Sequence, residues 1–369
     1  MKLTTNRDTL LRPLQLVTGV VERRQTLPVL ANLFVTAADG TVSFTGTDLE
    51  VELIARIEDG VEVVSPGQAT IPARKLADIW RSLPEGATVT IEVDGDRATV
   101  RSGRSRFSLA TLPVADFPRI EESASDLELV LSRAEMQRLL DQTAFSMAQQ
   151  DVRYFLNGML LEVTAAHVRT VATDGHRLAM CTLNRGVRGA AERRQAILPR
   201  KGVLELARLL SEGGDEVSLS LARNHLRATH AGFALTTKLV DGRFPDYEKV
   251  IPKESSNLVT ADRETLRQSF ARASILSNEK YRGVRITLEP DQLTIRANNP
   301  EQEEAEEIVP VAYSGQRLEI GFNVSYLQDV LGALSTESIR LSVSDANSSA
   351  LVEGPGAEDS VYVVMPMRL

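Results

Sequence analysis

Side chains that could act as acids, bases or nucleophiles are few in this sequence, which has four histidines and one cysteine among 369 residues. The densest group is Asp174-Gly175-His176-Arg177, where a histidine stands between a carboxylate and a guanidinium. A catalytic histidine needs a nucleophile or a second acid–base group beside it. Because no G-x-S-x-G segment offers a serine nucleophile, an enzyme is the weaker interpretation of this group, and the sequence predicts no catalytic residue.

Sites for phosphate, metal or cofactor are poorly indicated as well. Gly213-Gly214 and Gly354-Pro355-Gly356 match neither the dinucleotide-binding pattern nor the P-loop. His225 and His230 are five residues apart in a segment typical of a strand, which would place them on opposite faces of a sheet. The single cysteine, Cys181, cannot form an intrachain disulfide, which fits a reducing cytoplasm. We therefore predict no cofactor and no metal.

The composition is that of an ordinary globular protein, with 43% hydrophobic and 25% charged residues. The first eleven residues lack the apolar run of a secretory signal, and no stretch is apolar enough to suggest a membrane span, so we expect a cytoplasmic protein without a membrane partner. The net charge of −8, from 42 basic and 50 acidic residues, argues at first against nucleic acid.

A hairpin predicted at Val171–Met180 recurs twice in the chain. Asp174-Gly175 lies between two short apolar runs and predicts a two-residue turn, because glycine takes the positive φ that such a turn needs. Thr47-Asp48 stands 126 residues before Thr173-Asp174, and Asn298 of a more degraded copy stands 125 residues after Thr173. Three copies at one spacing predict an array of similar units.

Each copy also contains two predicted helices with apolar residues at helical spacing. The first helices begin at Arg7, Arg133 and Arg263, and the second ones cover residues 72–83, 199–210 and 325–334. Short alternating segments between them indicate strands.

Polar stretches at residues 121–126 and 252–257 separate the copies. The sequence therefore predicts an α+β protein of three domains. The predicted domains are an N-terminal domain at 1–125, a central domain at 126–252 and a C-terminal domain at 253–369.

Basic residues are concentrated in the predicted helices. The six helical segments contain fifteen basic and eight acidic residues, so they sum to +7 while the rest of the chain sums to −15. Arginine and lysine are also good helix formers on solvated faces, which explains any single helix. Because the excess recurs, we expect one basic surface that faces phosphate on an otherwise acidic protein.

Several segments resemble one protein family in the same order along the whole chain. They are TLPVLANL (26–33), GTDLE (46–50), RSGRSRFSLATLP (101–113), QDVRYFLNGML (150–160), VATDGHRLA (171–179), LVDGRFPDY (239–247), ILSNEKYRGVR (275–285), NNPEQEEAEE (298–307), GFNVSY (321–326) and VVMPMRL (363–369). The chain thereby resembles the bacterial DNA polymerase III beta subunits, which are the replicative sliding clamps.

This resemblance implies three repeated clamp domains per chain and a head-to-tail homodimer that forms a six-domain ring, with helices lining the hole and sheets outside. The ring would encircle double-stranded DNA without sequence preference and tether the replicative polymerase, after loading by an ATP-dependent clamp loader. The implied DNA contacts are Arg24, Arg74, Gln150, Arg153, Tyr154, Phe155, Arg200 and Lys201. Core packing is the alternative for Tyr154 and Phe155.

For the dimer interface, the resemblance implies a basic side that meets an acidic run. The residues are Lys75, Arg104, Arg106, Phe107, Leu109, Ile275 and Leu276, with Glu301, Glu303, Glu304, Glu306 and Glu307 in the acidic run. A solvated charged surface is the alternative for that run.

The resemblance also implies a cleft that binds short linear peptides of polymerases, of the clamp loader and of other proteins. Its wall would consist of Leu156, Thr173, Gly175, His176, Arg177, Leu178, Pro245, Lys249, Val250, Ser349, Val363, Val364, Met365, Pro366, Met367 and Arg368. Methionines and prolines suit an adaptable apolar groove, and Arg177 could donate to a peptide backbone. A repeat scaffold that binds peptides but not DNA is the remaining alternative.

Overall fold

The structure, a computed structural model, describes residues 1–22, 27–120, 124–187, 192–253 and 255–368. In chain order, the first repeat contains β1 (Lys2–Asn6), α1 (Arg7–Val20), β2 (Asn32–Ala38), β3 (Thr41–Thr47), β4 (Val51–Ile57), β5 (Val61–Ser65), β6 (Gly67–Pro72), α2 (Ala73–Ser82), β7 (Thr88–Asp94), β8 (Arg97–Ser102) and β9 (Ser105–Ala110).

The other two repeats follow the same order of elements, with no counterpart of β5 among the residues that the structure describes. The second contains β10 (Leu127–Ser132), α3 (Arg133–Asp141), β11 (Gly158–Val163), β12 (Val168–Thr173), β13 (Arg177–Leu183), β14 (Arg194–Pro199), α4 (Arg200–Leu209), β15 (Glu216–Leu221), β16 (His225–His230) and β17 (Phe233–Lys238). The third contains β18 (Asn257–Asp262), α5 (Arg263–Ser274), β19 (Gly283–Glu289), β20 (Gln292–Asn298), β21 (Glu304–Pro310), β22 (Leu318–Asn323), α6 (Val324–Ala333), β23 (Ser338–Val343), β24 (Ala350–Gly354) and β25 (Ala357–Val364).

All six helices predicted from apolar spacing are therefore present, and the threefold repeat is confirmed. Side chains cap two of the first helices, because Asn6 accepts from the Asp8 amide and Asp262 accepts from the Thr265 amide. The chain is α+β throughout, and no helix among the described residues is long and apolar enough to cross a membrane.

The chain divides into two compact units, which we describe separately. Unit 1 comprises Met1–Ala134 and Lys201–Leu239. Its five-stranded sheet has the order β5-β1-β7-β8-β9, and its eight-stranded sheet has the order β10-β15-β16-β17-β4-β3-β2-β6. Pairing of β17 with β4 thus joins strands of the second repeat to strands of the first in one sheet.

Unit 2 comprises Glu135–Arg200 and Val240–Leu369. Its eight-stranded sheet has the order β14-β11-β12-β13-β25-β24-β23-β18, and its four-stranded sheet has the order β21-β20-β19-β22. Here β25 of the third repeat pairs with β13 of the second. Both large sheets run past the boundaries at 125/126 and 252/253 that the sequence suggested, so the exact domain boundaries stay a prediction.

The turns that revealed the repeat are hairpin turns, as expected, but the two-residue turn predicted at Asp174-Gly175 is wrong. Thr173 pairs with Leu178, so four residues form the loop. The Asp174 carboxylate accepts hydrogen bonds from the amides of His176 and Arg177, at 2.9 and 3.0 Å. This side-chain bonding replaces the tight backbone turn, which is the usual behaviour of aspartate in turns.

The equivalent loop of the first repeat has the same bonds with a different residue at its centre. Asp48 accepts from the amides of Glu50 and Val51 at 2.9 and 2.7 Å. Leu49 has a φ of 79°, where Gly175 has a φ of 88°. A leucine is strained in this left-handed region and a glycine is not.

We expect Gly175→Ala to lower the free energy of unfolding by about 1 kcal/mol, because a Cβ is unfavourable at positive φ. Gly175→Asn should cost less, since asparagine tolerates the left-handed region. Urea unfolding of the three proteins measures both effects. Equal stability of Gly175→Ala and the native protein would contradict this conformational argument.

Candidate functional site

A groove of about 490 Å³ between α1 and α2 contains Arg74, a basic residue of unit 1 without a carboxylate partner among the described residues. Arg74 is exposed, and its guanidinium bonds only the Val21 carbonyl, at 3.3 Å, among the described residues. Arg81 shares the groove but pairs with Asp78 at 2.9 Å. Arg24, which the family resemblance also implied, lies outside the described residues.

Lys201 is less available than the sequence suggested. Its ammonium contacts the carboxylates of Asp48 and Glu22 and donates to the Val20 carbonyl at 3.1 Å. Burial opposes the charge, but the hydrogen bonds to Asp48 and Glu22 outweigh it and raise the pKa of Lys201 above its usual value. This lysine is a structural cation at the turn of the first repeat.

Arg208 of α4 is likewise committed within unit 1. It donates to the carbonyls of Gln15 and Leu16 at 2.6 and 3.1 Å and pairs with Glu205 at 3.2 Å. A Cβ on Gly19 would lie 1.6 Å from its guanidinium, so the absence of a side chain at Gly19 allows this close approach. Much of the positive charge counted on the helices is therefore balanced inside the chain.

Residues 150–155 form an exposed loop in unit 2. Tyr154 is 74% exposed, which argues against core packing for this residue. Phe155 is half-buried and packs against a hydrophobic cluster that includes Leu178 and Val363. Gln150 is exposed at a φ of 57°, and Arg153 is held by two hydrogen bonds to Asp151 at 2.8 and 3.0 Å. These bonds lower the pKa of Asp151 to about 2.

Arg200, the remaining implied DNA contact, is half-buried at the start of α4. Its guanidinium lies 3.5 Å from the Met147 carbonyl. No carboxylate pairs with it within the described ranges, so its charge is not cancelled by a neighbour.

The wall implied for the peptide cleft lies entirely in unit 2, around the pairing of β13 with β25. Arg177 is opposite Val364 and Leu178 is opposite Val363, and the His176 carbonyl accepts from the Met365 amide at 2.9 Å. The His176 ring stacks on Tyr326, with ring centroids 6.4 Å apart. The sequence therefore brings the hairpin and the C-terminal segment together, as the resemblance implied.

The Arg177 guanidinium makes more contacts within the chain than the sequence suggested. Its guanidinium bonds Asp174 at 3.1 Å, Asp329 at 2.5 Å and the Phe145 carbonyl at 2.7 Å. It also lies 4.5 Å from the centroid of the Tyr326 ring, in cation–π geometry. With its side chain only 11% exposed, Arg177 mainly fixes the hairpin against α6 and has little capacity left for a peptide.

The other residues of the wall fall into two groups. Buried members form an apolar floor, and members with partial or full exposure stand above it. The buried ones are Leu156, Leu178, Val363 and Val364; the others are Thr173, Pro245, Lys249, Val250, Ser349, Met365, Pro366, Met367 and Arg368. Lys249 is highly exposed and pairs with Asp246 at 2.9 Å.

A buried carboxylate anchors one side of this wall, and sequence reasoning missed it. Glu162 is 1% exposed and accepts from His167 at 2.9 Å, Arg193 at 2.6 Å, Gln195 at 2.8 Å and the Tyr247 hydroxyl at 3.0 Å. Burial alone would raise the pKa of Glu162, but these bonds lower it to about 2. Tyr247 belongs to the segment of Pro245 and Val250, so the network holds that segment in place.

The residues implied for an interface lie on two sheet edges. In unit 1, β9 is the last strand of its sheet, and its Phe107 and Leu109 alternate with exposed Arg106. Lys75, Arg104 and Arg106 are exposed and pair with no carboxylate of the described chain. In sheets, such an unpaired edge is a ready template for another strand.

In unit 2, β21 is the corresponding edge and is acidic. Glu304, Glu306 and Glu307 lie on this strand, and Glu301 and Glu303 precede it. Glu306 pairs with Arg296 at 2.5 Å and Glu307 pairs with Arg272 at 2.6 Å. Beyond the end of α5, Ile275 is 76% exposed and Leu276 is half-buried.

Comparison with known proteins gives consistent matches over the whole chain. Three family models of the DNA polymerase III beta subunit match this chain. The model of the N-terminal domain matches residues 1–121, that of the central domain matches 130–246, and that of the C-terminal domain matches 248–368. The chain is 56% identical to the beta sliding clamp of Pseudomonas putida and 53% identical to that of Escherichia coli K12, each over 369 residues and 100% of both chains.

A crystal structure of the DNA polymerase III subunit beta from Pseudomonas aeruginosa is similar in fold as well. It is 56% identical, with a TM-score of 0.96 and 100% of both chains covered.

We expect Glu162→Gln to destabilise unit 2, because it leaves Arg193 beside a neutral amide in a buried site. A pKa of about 2, against 4.5 for the free side chain, corresponds to roughly 3 kcal/mol. A carboxyl with a lowered folded-state pKa contributes fully above pH 4.5 and loses its contribution as the pH falls towards 2. The gap in urea midpoint between the two proteins should stay constant from pH 8 to 5 and narrow below.

Proposed function

Because the chain belongs to the family of DNA polymerase III beta subunits, the sliding clamps of DNA replication, we propose that two copies close head to tail into a ring around duplex DNA. The chain is a non-catalytic subunit that keeps the replicative polymerase on its template. The proposal concerns how these residues close the ring, hold DNA and bind partner proteins in the cytoplasm.

The unpaired edges β9 and β21 are the observation on which the ring proposal depends. Within the chain, the last strand of one repeat pairs with the fourth strand of the repeat before it: β17 pairs with β4, and β25 pairs with β13. The strands left over by this rule are β9, the last strand of the first repeat, and β21, the counterpart of β4 in the third. Pairing β9 of one copy with β21 of the other would extend the same rule of strand pairing from one chain to the next.

The within-chain register specifies how these two edges would align. Phe233 is opposite Ala55, and Leu235 is opposite Leu53. By strand pairing and hairpin position, Ser105 and Phe107 are the counterparts of Phe233 and Leu235. Glu307 and Ala305 are the counterparts of Ala55 and Leu53. Across the interface we therefore expect Ser105 opposite Glu307 and Phe107 opposite Ala305, in an antiparallel pair.

Charge and geometry support the same contact. Arg104, Arg106 and Lys75 on one side would face Glu301, Glu303 and Glu304 on the other, which favours the opposite-edge contact over contact between like edges. A head-to-tail contact that closes after two copies gives a six-domain ring without free sheet edges between subunits.

Inside such a ring, contact with DNA would be electrostatic and independent of sequence. Arg74, Arg200 and the exposed loop with Gln150, Arg153 and Tyr154 are the groups that support this assignment, with Phe155 contributing from a partly buried position. The Lys201 charge is already paired with Asp48 and Glu22 and adds little. Contacts to phosphate position a protein without reading bases. A small number of free cations suits a ring that slides, because retention then comes from topology and not from affinity.

The wall around His176, Val363 and Met365 would bind short peptides of polymerases and of the loader. An apolar floor with partly exposed methionine and proline accepts varied side chains. The sequence has no P-loop, so opening of the ring would require an ATP-dependent loader protein.

We expect Ile275→Asp and Leu276→Asp to give monomers, because each replaces an apolar side chain with a carboxylate that would lose its water in the interface. Multi-angle light scattering should then report 40.4 kDa in place of twice that mass. Leu258→Asp is the matched control, since Leu258 is 51% exposed on β18, which belongs to a different sheet from β9 and from β21. Intact dimers in both test variants would remove the interface assignment.

Retention on DNA tests the topological link. After loading by a clamp loader with ATP, the protein should stay on closed circular DNA in moderate salt and run off once a single cut makes the DNA linear. Arg74→Glu should shorten retention on circles, whereas Arg56→Glu should not, because Arg56 pairs with Glu58 on another surface. Equal retention on linear DNA would contradict a ring, and unchanged retention in Arg74→Glu with intact peptide binding would favour a peptide scaffold.

A further inference from the structure

The strand pairing that builds the wall around His176 occurs a second time, in unit 1. Thr47, Asp48 and Leu49 form the same loop as Thr173, Asp174 and Gly175, and both threonine hydroxyls donate to a carbonyl four residues on, at 2.9 and 2.6 Å. The Lys238 amide donates to the Glu50 carbonyl at 2.8 Å, as the Met365 amide does to His176. Lys238 therefore occupies the position of Met365.

Two further positions correspond in the same way. Leu226 is the strand neighbour of Thr237, and Ala350 is the neighbour of Val364, so His225 stands where Ser349 stands. Pro118 follows the buried Phe117, as Pro245 follows the buried Phe244.

A groove of about 240 Å³ on unit 1 is lined by Thr47, Leu49, Pro118, His225 and Lys238, together with Arg119 and Ile120. Five positions of the wall in unit 2 thus have counterparts around this groove, which we call the unit 1 groove. The two differ in chemistry: a serine and a methionine of the wall are replaced by a histidine and a lysine.

The two cations and the histidine of the unit 1 groove lack polar side-chain partners within the part of the chain that the structure describes. Neither the Lys238 ammonium nor the Arg119 guanidinium has a carboxylate partner there, and the Arg119 guanidinium carbon lies 4.2 Å from the centroid of the Phe34 ring. Both ring nitrogens of His225 are buried without a hydrogen bond. Burial and the charge of Lys238 lower the pKa of His225, which favours the neutral ring with one N–H donor and one acceptor nitrogen.

We propose that the unit 1 groove is a second peptide-binding site, specific for a short acidic segment with an apolar anchor. The anchor would lie against Leu49, Pro118 and Ile120, and carboxylates would pair with Lys238 and Arg119. This site goes beyond the proposed function and does not depend on the ring.

A peptide fits the groove better than nucleic acid does. Three of the seven residues around it are apolar, and burying them gains free energy only with an apolar partner. Phosphate contacts would use the two cations and leave that apolar surface in water. A peptide that alternates leucine and aspartate matches both features at strand spacing.

The probe is the hexapeptide LDLDLD, blocked at both ends, with LNLNLN as its uncharged match. Glu50→Cys labelled with an environment-sensitive dye would report on the groove, because the native Cys181 is buried and unreactive. We expect saturable binding of LDLDLD, at least tenfold weaker binding of LNLNLN, and at least tenfold weaker binding of LDLDLD when Lys238→Glu and Arg119→Glu are combined in the labelled protein.

Lys253→Glu in the same labelled protein is the control for charge reversal outside the groove and should leave the dissociation constant unchanged. Lys238→Gln alone should weaken binding about threefold, which keeps the test valid if the double charge reversal disturbs folding. Binding that ignores these substitutions, equal affinity for both peptides, or displacement of LDLDLD by a 20-base-pair duplex would overturn the proposal. The last result would instead identify the groove as a phosphate-binding surface.

Discussion

The structure depends on how backbone groups at the end of each repeat find partners. A strand that ends a repeat has one row of N–H and C=O groups unpaired, and leaving such a row open costs free energy and invites aggregation. In this chain β17 and β25 each pair with the fourth strand of the preceding repeat. Sheet hydrogen bonds thereby join each repeat to the next. This pairing rule leaves β9 and β21, each paired on one side only within the described residues, as edges open to another strand.

Basic side chains that form ion pairs and hydrogen bonds within the chain differ from those that stay available to a ligand. Arg177, Lys201 and Arg208 come from basic segments, yet each is bonded to carboxylates or carbonyls of its own unit. Arg74 keeps most of its donors free. A net count over helices treats these groups alike, so it overestimates the charge that DNA would meet.

Local features of the fold could be predicted from the sequence because they depend on nearby residues. Helix starts at Arg7, Arg133 and Arg263 follow from apolar spacing and capping residues, and the hairpins follow from turn residues repeated at one interval. The length of the loop at Asp174 could not be read in this way, because the carboxylate bonds of Asp174, and not a glycine turn, fix its shape. The Glu162 network was also beyond reach, since its partners come from separate strands and from Tyr247.

Repetition of one backbone arrangement allows its side chains to diverge without loss of the fold. The hydrogen bonds that Asp48 and Asp174 accept fix the backbone of the two loops in the same way. The other residues of each loop are therefore not needed to hold its shape. At the centre of the loop one repeat tolerates Leu49 at a positive φ and the other has a glycine. Next to it, one repeat has Lys238 and the other has Met365, on the same backbone hydrogen bond. Where the backbone supplies the positioning, a change of two or three side chains is enough to change what a groove binds, because the geometry of recognition is already in place.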